Sequence, residues 1–177
     1  MLLSHDEIIE LIRNGVIENA EEDCVNSSSL DIHLGPELLV ESYPFVPNVS
    51  LARRESLTMT SIKIAHYFKL IPGDFVLAHS REIFHLPNNI SAEYKLKSSM
   101  ARIGLEHLNA GWCDAGWNGS VLTLELKNMT RLHNILLEKD IKIGQVIFFK
   151  HTPVPQNKSY SVRGHYNGDK SVSGAKS

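Results

Sequence analysis

Three stretches in the middle of the chain hold more hydroxyls, cations and carboxylates than a core needs. The first is Lys97-Ser98-Ser99-Met100-Ala101-Arg102-Ile103-Gly104-Leu105. A helical turn here sets Ser98 and Arg102 one turn apart on one face. Two hydroxyls between two cations suit a phosphate or a polarised base, and the plain alternative is a capped surface turn. The second is Ala110-Gly111-Trp112-Cys113-Asp114-Ala115-Gly116-Trp117-Asn118-Gly119. Its glycines open backbone angles closed to other residues and let a ligand approach the main chain. Asp114 in such a loop can orient a water or a sugar hydroxyl, or merely close an Asx-type turn. The third runs over residues 121–127, where Leu122, Leu124 and Leu126 alternate with Thr123, Glu125 and Lys127. Periodicity alone reads as a strand with one wet face. If Glu125 instead points into a pocket, partial burial raises its pKa toward neutrality, as general acid–base work requires.

Other chemistries find less support. Nine His and two Cys invite a metal reading. A zinc nucleobase deaminase carries His-x-Glu followed by Pro-Cys-x-x-Cys. His5-Asp6-Glu7 matches the first part by chance, and Cys24 and Cys113 cannot supply the second. No metal-ligating set is expected, because a site using these cysteines needs distant ligands to converge. Nucleophile-elbow, Walker and dinucleotide signatures are also missing.

The 177 residues suffice for one domain with an ordinary core. A formal net charge of −2 without a basic cluster argues against a nucleic-acid partner. The chain has no apolar run of membrane-spanning length. Acids near the N-terminus and the scarcity of cysteine point to a cytoplasmic, reduced setting.

The elements that must position these residues are mostly strands. Ser4 and Glu7 form a capping box, Ile8, Ile9, Leu11 and Ile12 an apolar stripe, and Asn14-Gly15 a stop, which together predict an N-terminal helix. Strands are expected at 29–34, 37–43, 61–70, 74–79, 82–86, 91–96, 121–127 and 145–150, separated by turn signals. The pattern is mainly β, a barrel or a sandwich with short helical turns. A single domain over 1–166 and a mobile Gly/Ser/Lys-rich tail over 167–177 are expected.

Taken together, the stretches resemble the dCTP deaminase family, relatives of the trimeric dUTPases. The family's Ser-x-Asp-x-Arg-Leu-Gly-like segment matches Ser29-Leu30-Asp31-Ile32-His33-Leu34-Gly35. Its Gly-Arg-Ser-Ser-x-Ala-Arg-x-Gly-Leu matches Leu96-Lys97-Ser98-Ser99-Met100-Ala101-Arg102-Ile103-Gly104-Leu105. Its Ala-Gly-aromatic loop and the Leu-Thr-Leu-Glu after it match residues 110–119 and 122–125, and its Ile-Gly-Gln strand matches Ile143-Gly144-Gln145.

The resemblance implies a distorted β-barrel, a homotrimer with active sites at subunit contacts, and zinc-independent hydrolysis of dCTP to dUTP and ammonia. Glu125 matches the catalytic glutamate, and Ser98 and Arg102 match residues holding the water, the base and the tetrahedral centre. Lys97 and Ser99 match phosphate contacts, and the Ala110 carbonyl is expected near the base. Asp114 matches an aspartate that activates water at the α-phosphate. Trp112, Tyr160, His165 and Tyr166 complete the expected substrate contacts. Mg²⁺ is implied on the triphosphate, and dTTP is a possible inhibitor. Gly111-Trp112 resembles the bifunctional type that continues to dUMP and pyrophosphate, which is the alternative. A nucleotide-binding regulator without catalysis is a third reading.

This chain also departs from the family pattern. His33 stands where the family has Arg, Lys97 replaces Arg, and Asp169 stands where a Gln would meet phosphates. An extra residue between Gly119 and Glu125 predicts a bulge.

Overall fold

The computed structural model describes residues 1–176. Helix α1 (His5–Arg13) starts at Ser4, whose backbone N–H donates to Glu7 Oε2 at 2.9 Å and whose hydroxyl donates to the same atom at 2.8 Å. It stops at Asn14 and at Gly15, with φ of +70°. Ile8 and Ile9 are its buried face, as the stripe requires.

The strands are β1 (Ile17–Glu18), β2 (Leu30–His33), β3 (Glu37–Glu41), β4 (Met59–Lys63), β5 (Phe68–Leu70), β6 (Phe75–His85) and β7 (Ile90–Leu96). They continue as β8 (Leu105–Glu106), β9 (Trp112–Cys113), β10 (Asn118–Asn128), β11 (Ile135–Leu137) and β12 (Lys142–Lys150). Helices α2 (Ser98–Arg102) and α3 (Tyr160–Arg163) are single turns.

Three sheets result. One runs β4-β3-β6-β10-β8 with β1 also on β6, one runs β2-β12-β7-β9, and β11 pairs with β5. Every ladder is antiparallel. Leu30, Ile32, Leu34, Phe84, Leu124, Leu126 and Phe148 are buried in a shared core. The expected mainly β class is therefore found. A closed barrel is not: no ladder joins β2 to β6, and among the described residues their sheets are linked by the isolated Leu34–Ser80 bridge beside β2 and by side-chain contacts such as His33–Glu82.

Two strand boundaries are corrected. The stretch 61–70 is broken by a bend at 65–66 and joins two different sheets as β4 and β5. The stretches 74–79 and 82–86 are one strand, β6, whose interruption is a bulge. Its ladder with β10 steps from Val121 opposite Ile83 to Thr123 opposite His79. A second irregularity, between Asn118 and Ser120, puts the extra residue at Gly119, whose φ of +68° favours glycine. The extra residue on β10 is thus at Gly119, the edge of the 119–125 interval where a bulge was expected, while the irregularity within that interval has its extra residues on β6.

The tail does not stand clear of the domain. Asn118 N–H donates to Asn167 Oδ1 at 3.0 Å, Gly168 N–H to Asn118 O at 3.1 Å, and Val121 N–H to Asp169 O at 2.8 Å. Val172 is buried. These bonds hold residues 167–169 along the start of β10, where composition alone suggested a free tail. Ser177 lies outside the described residues.

Candidate active site

Strand β10 sets Glu125 opposite Leu77 of β6, in the middle of the largest sheet. Period-two alternation sends Leu124 and Leu126 into the core and Glu125 to the other face. That face is not open water. It forms the floor of a cavity of about 600 Å³ with Phe75 and Leu77, under a wall made by Val49, Leu51 and Leu57 of the β3–β4 loop. Burial within the strand's surroundings pushes the Glu125 carboxyl up to about 7, offset in part by a backbone hydrogen bond. A carboxyl that titrates near neutrality can both take and give a proton at physiological pH.

The glycine loop forms a second wall, and Ala110, Trp112 and Asp114 all line the cavity. Leu108 and Asn109 hold positive φ, 53° and 56°, a left-handed pair that costs energy in non-glycine residues. Gly111 then passes the backbone of Tyr94 so closely that a Cβ would lie 2.5 Å from the Tyr94 carbonyl oxygen. Its own carbonyl accepts from Tyr94 N–H at 2.8 Å. Ala110 is thereby fixed by backbone on both sides. Trp112 is largely exposed, packs on Phe149, and donates its indole N–H to Asp114 Oδ1 at 2.9 Å. Trp117 is buried against Phe84 and donates to Tyr166 O at 3.0 Å.

Tyr160 and Tyr166 also line the cavity. Tyr160 opens α3, which Ser159 caps by accepting from Ser161 N–H at 3.3 Å. Partial burial raises the Tyr160 phenol. Asp169, anticipated as a poor neighbour for phosphate, is neutralised by Lys176 Nζ at 2.7 Å.

The remaining expected residues lie elsewhere. Lys97, Ser98, Ser99, Arg102 and His165 do not line this cavity. Ser98, Ser99 and Arg102 are exposed on α2, with Arg102 Nε donating to Ser98 Oγ at 3.4 Å, so the one-turn spacing is realised on a surface helix. Lys97 Nζ donates to buried Asp31 Oδ1 at 2.7 Å, and Ser29 Oγ to Gln145 Oε1 at 3.3 Å. The motifs at 29–35, 97–105 and 143–146 thus meet at the β2-β12-β7 sheet, apart from the Glu125 cavity. His165 is exposed, with Arg54 Nη1 3.4 Å from its Nε2. Sequence reasoning missed the apolar wall of residues 49–57. Its only signal is isolated Val and Leu residues in an otherwise polar loop.

A mainly β domain that seats a near-neutral carboxyl in a backbone-walled cavity is equipped for acid–base work on a small polar molecule. A family model described as dCTP deaminase-like matches residues 2–151, and the chain belongs to that family. A protein of Hydrogenobaculum named dCTP deaminase, dUMP-forming, is 34% identical over 158 residues, covering 88% of this chain and 85% of its own length. One of the same name from Aquifex aeolicus is 34% identical over 174 residues, covering 97% and 92%. A solved 2′-deoxycytidine 5′-triphosphate deaminase from Agrobacterium tumefaciens shares the fold at a TM-score of 0.65 and 21% identity. That match covers 83% of this chain and 47% of the solved one, so this chain spans about half its length.

The relatives correct one expectation. The resemblance was read as deamination ending at dUTP, whereas the curated relatives carry the dUMP-forming name. The residue pair Gly111-Trp112 is the sequence signal that pointed the other way. No described helix is long and apolar enough to cross a membrane.

Proposed function

We propose that this chain hydrolyses dCTP to dUMP, ammonia and pyrophosphate. One water replaces the C4 amino group of cytosine by a carbonyl oxygen, and a second cleaves the α–β phosphoanhydride. The observation that carries the reading is Glu125, a carboxyl held near pH 7 at the floor of the cavity. It takes the proton of the attacking water and delivers protons to N3 and to the leaving ammonia. The Ala110 carbonyl, fixed by its strained turn, accepts from the amino group or the water. The dUMP-forming name of the relatives supports the second hydrolysis. Asp114, oriented by the Trp112 indole, is the group we assign to activating that second water.

Ser98, Arg102, Lys97 and Ser99 hold the base, the tetrahedral centre and the phosphates in this reading, and they come from another copy. Within one chain the site has two separated halves, which a homotrimer with sites at subunit contacts would join. Such a trimer is the assembly we propose. Tyr160, His165 and Tyr166 contribute from the tail. Glu55, Asp114 and Asp169 line the cavity, and no described Lys or Arg of the same chain does. A polyphosphate entering such walls needs compensating charge, and these hard oxygen donors fit Mg²⁺ carried on the triphosphate. When bound, the cation screens the phosphates and leaves deamination to the protein's side chains.

Chromatography of the products from dCTP tests the proposal. Release of ammonia with dUMP and pyrophosphate is expected, and accumulation of dUTP alone overturns it.

A further inference from the structure

Away from the cavity, the fold joins side chains that the sequence leaves far apart. Glu21, Cys24 and His33 bring a carboxylate oxygen, a sulfur and an imidazole nitrogen within 4.8 Å of one another. The 3₁₀ turn Glu22–Cys24 presents Glu21 and Cys24 on one side, because residues three apart eclipse in that helix. Cys24 Sγ lies 4.0 Å from both Glu21 Oε2 and His33 Nε2. Tetrahedral zinc bonds of about 2.3 Å to sulfur and 2.1 Å to nitrogen or oxygen put such atoms about 3.6 Å apart. The two distances to sulfur need to contract by a few tenths of an ångström, and the carboxylate and imidazole, within 4.8 Å of each other, close further by rotation of the exposed Glu21 side chain.

The outer contacts match. Glu82 is fully buried and clamps His33 twice, accepting from its backbone N–H at 3.0 Å and pairing with Nδ1 at 2.8 Å. A carboxylate on one imidazole nitrogen fixes the proton there and leaves the other lone pair for a metal. That lone pair, on Nε2, faces the thiol. Burial holds the Cys24 thiol above its ordinary pKa, and the Lys142 ammonium opposes that shift. The carboxylates of Glu21, Asp23 and Glu82 gather around the cluster beside the cations Arg81 and Lys142, an oxygen-rich setting that suits a divalent ion. Arg81 Nη2 sits 2.8 Å from Glu21 and 3.0 Å from His33 Nδ1. A metal would share Glu21 with it, which makes Glu21 the weakest of the three ligands.

We infer that Glu21, Cys24 and His33 form a Zn²⁺ site outside the catalytic cavity, with water in the fourth position. None of the three lines that cavity. His33 replaces the Arg of the family segment, so the site is a property of this chain and does not rest on the proposed reaction. The ion would staple the 20–25 turn to β2 and, through Glu82, to β6.

Metal titration of chelator-stripped protein tests it. One Zn²⁺ per chain should bind, competed against a chromophoric chelator, and Co²⁺ should give a thiolate charge-transfer band. Cys24→Ser and His33→Arg should lose the band, and Cys113→Ser should keep it. Glu21→Ala changes an exposed side chain, so its fold is kept, and it should weaken binding without abolishing it. Absence of stoichiometric binding, a band that follows Cys113, or unchanged affinity in Glu21→Ala overturns the site.

Discussion

Two regions carry the polar motifs of this chain, and they are built in opposite ways. Glu125 sits mid-strand in β10, paired with β6 at Leu77, in a cavity lined largely by apolar side chains. Ser98 and Arg102 sit on α2, a single exposed turn on which the Arg102 guanidinium donates to the Ser98 hydroxyl. The sheet provides what proton transfer needs, a rigid mount and a low-dielectric wall that shifts a pKa. The turn provides what charge recognition needs, solvated cations free to meet an anion. In the proposed trimer the buried carboxyl of one copy would face the exposed Ser–Arg turn of another, and the contrast between the two mounts is what that assembly would exploit.

The largest expected effect is at the sheet. Glu125→Gln should lower kcat for ammonia release by about 10³-fold, read in an ammonia assay. The same variant should alter the pH dependence of stability. Burial raises the folded pKa of Glu125 to about 7, so the folded chain binds more protons than the unfolded chain between the ordinary carboxylate range and that value. Native stability from this group therefore falls as pH rises through that window, and the Tm of the Gln variant should fall less there. The acidic limb of kcat/KM in the native protein should have an apparent pKa near 7 if Glu125 acts as the base.

The second effect tests whether the two regions meet between copies. Arg102→Gln should be as inactive as Glu125→Gln, and refolding the two variants together should restore activity. Mixed assemblies then contain sites with both native halves. No recovery in a mixed, folded oligomer would place both halves in one chain's site.

The smallest effect lies in the tail. Lys176→Ala frees Asp169 beside the cavity mouth. KM for a triphosphate should rise a few-fold, since like charges repel at close range, with kcat little changed. Steady-state kinetics separates the two.

Much of the local structure was legible from short-range rules. Ser4, Glu7 and Gly15 bounded α1 because capping depends on neighbours a few residues away. The alternation at 121–127 gave β10 because a strand's faces follow from its period. The halves of β6 were misread as two strands, since a bulge at 80–82 looks like a break until β10 lies beside it. The apolar wall at 49–57 was invisible because a loop has no period to read.

For the site, the sequence by itself determined which residue types are present and their order: a Glu in an alternating strand, a Ser–Arg turn, a glycine loop with an Asp. It also determined the family, through motifs long enough to be specific. Only the tertiary structure decided that Glu125 faces a cavity and not water, since period two names a face without saying what covers it. Only the fold separated α2 from that cavity, tied Lys97 to Asp31, and drew Cys24 and His33 to Glu21. Such meetings depend on how sheets stack, and stacking depends on contacts between residues far apart in the chain.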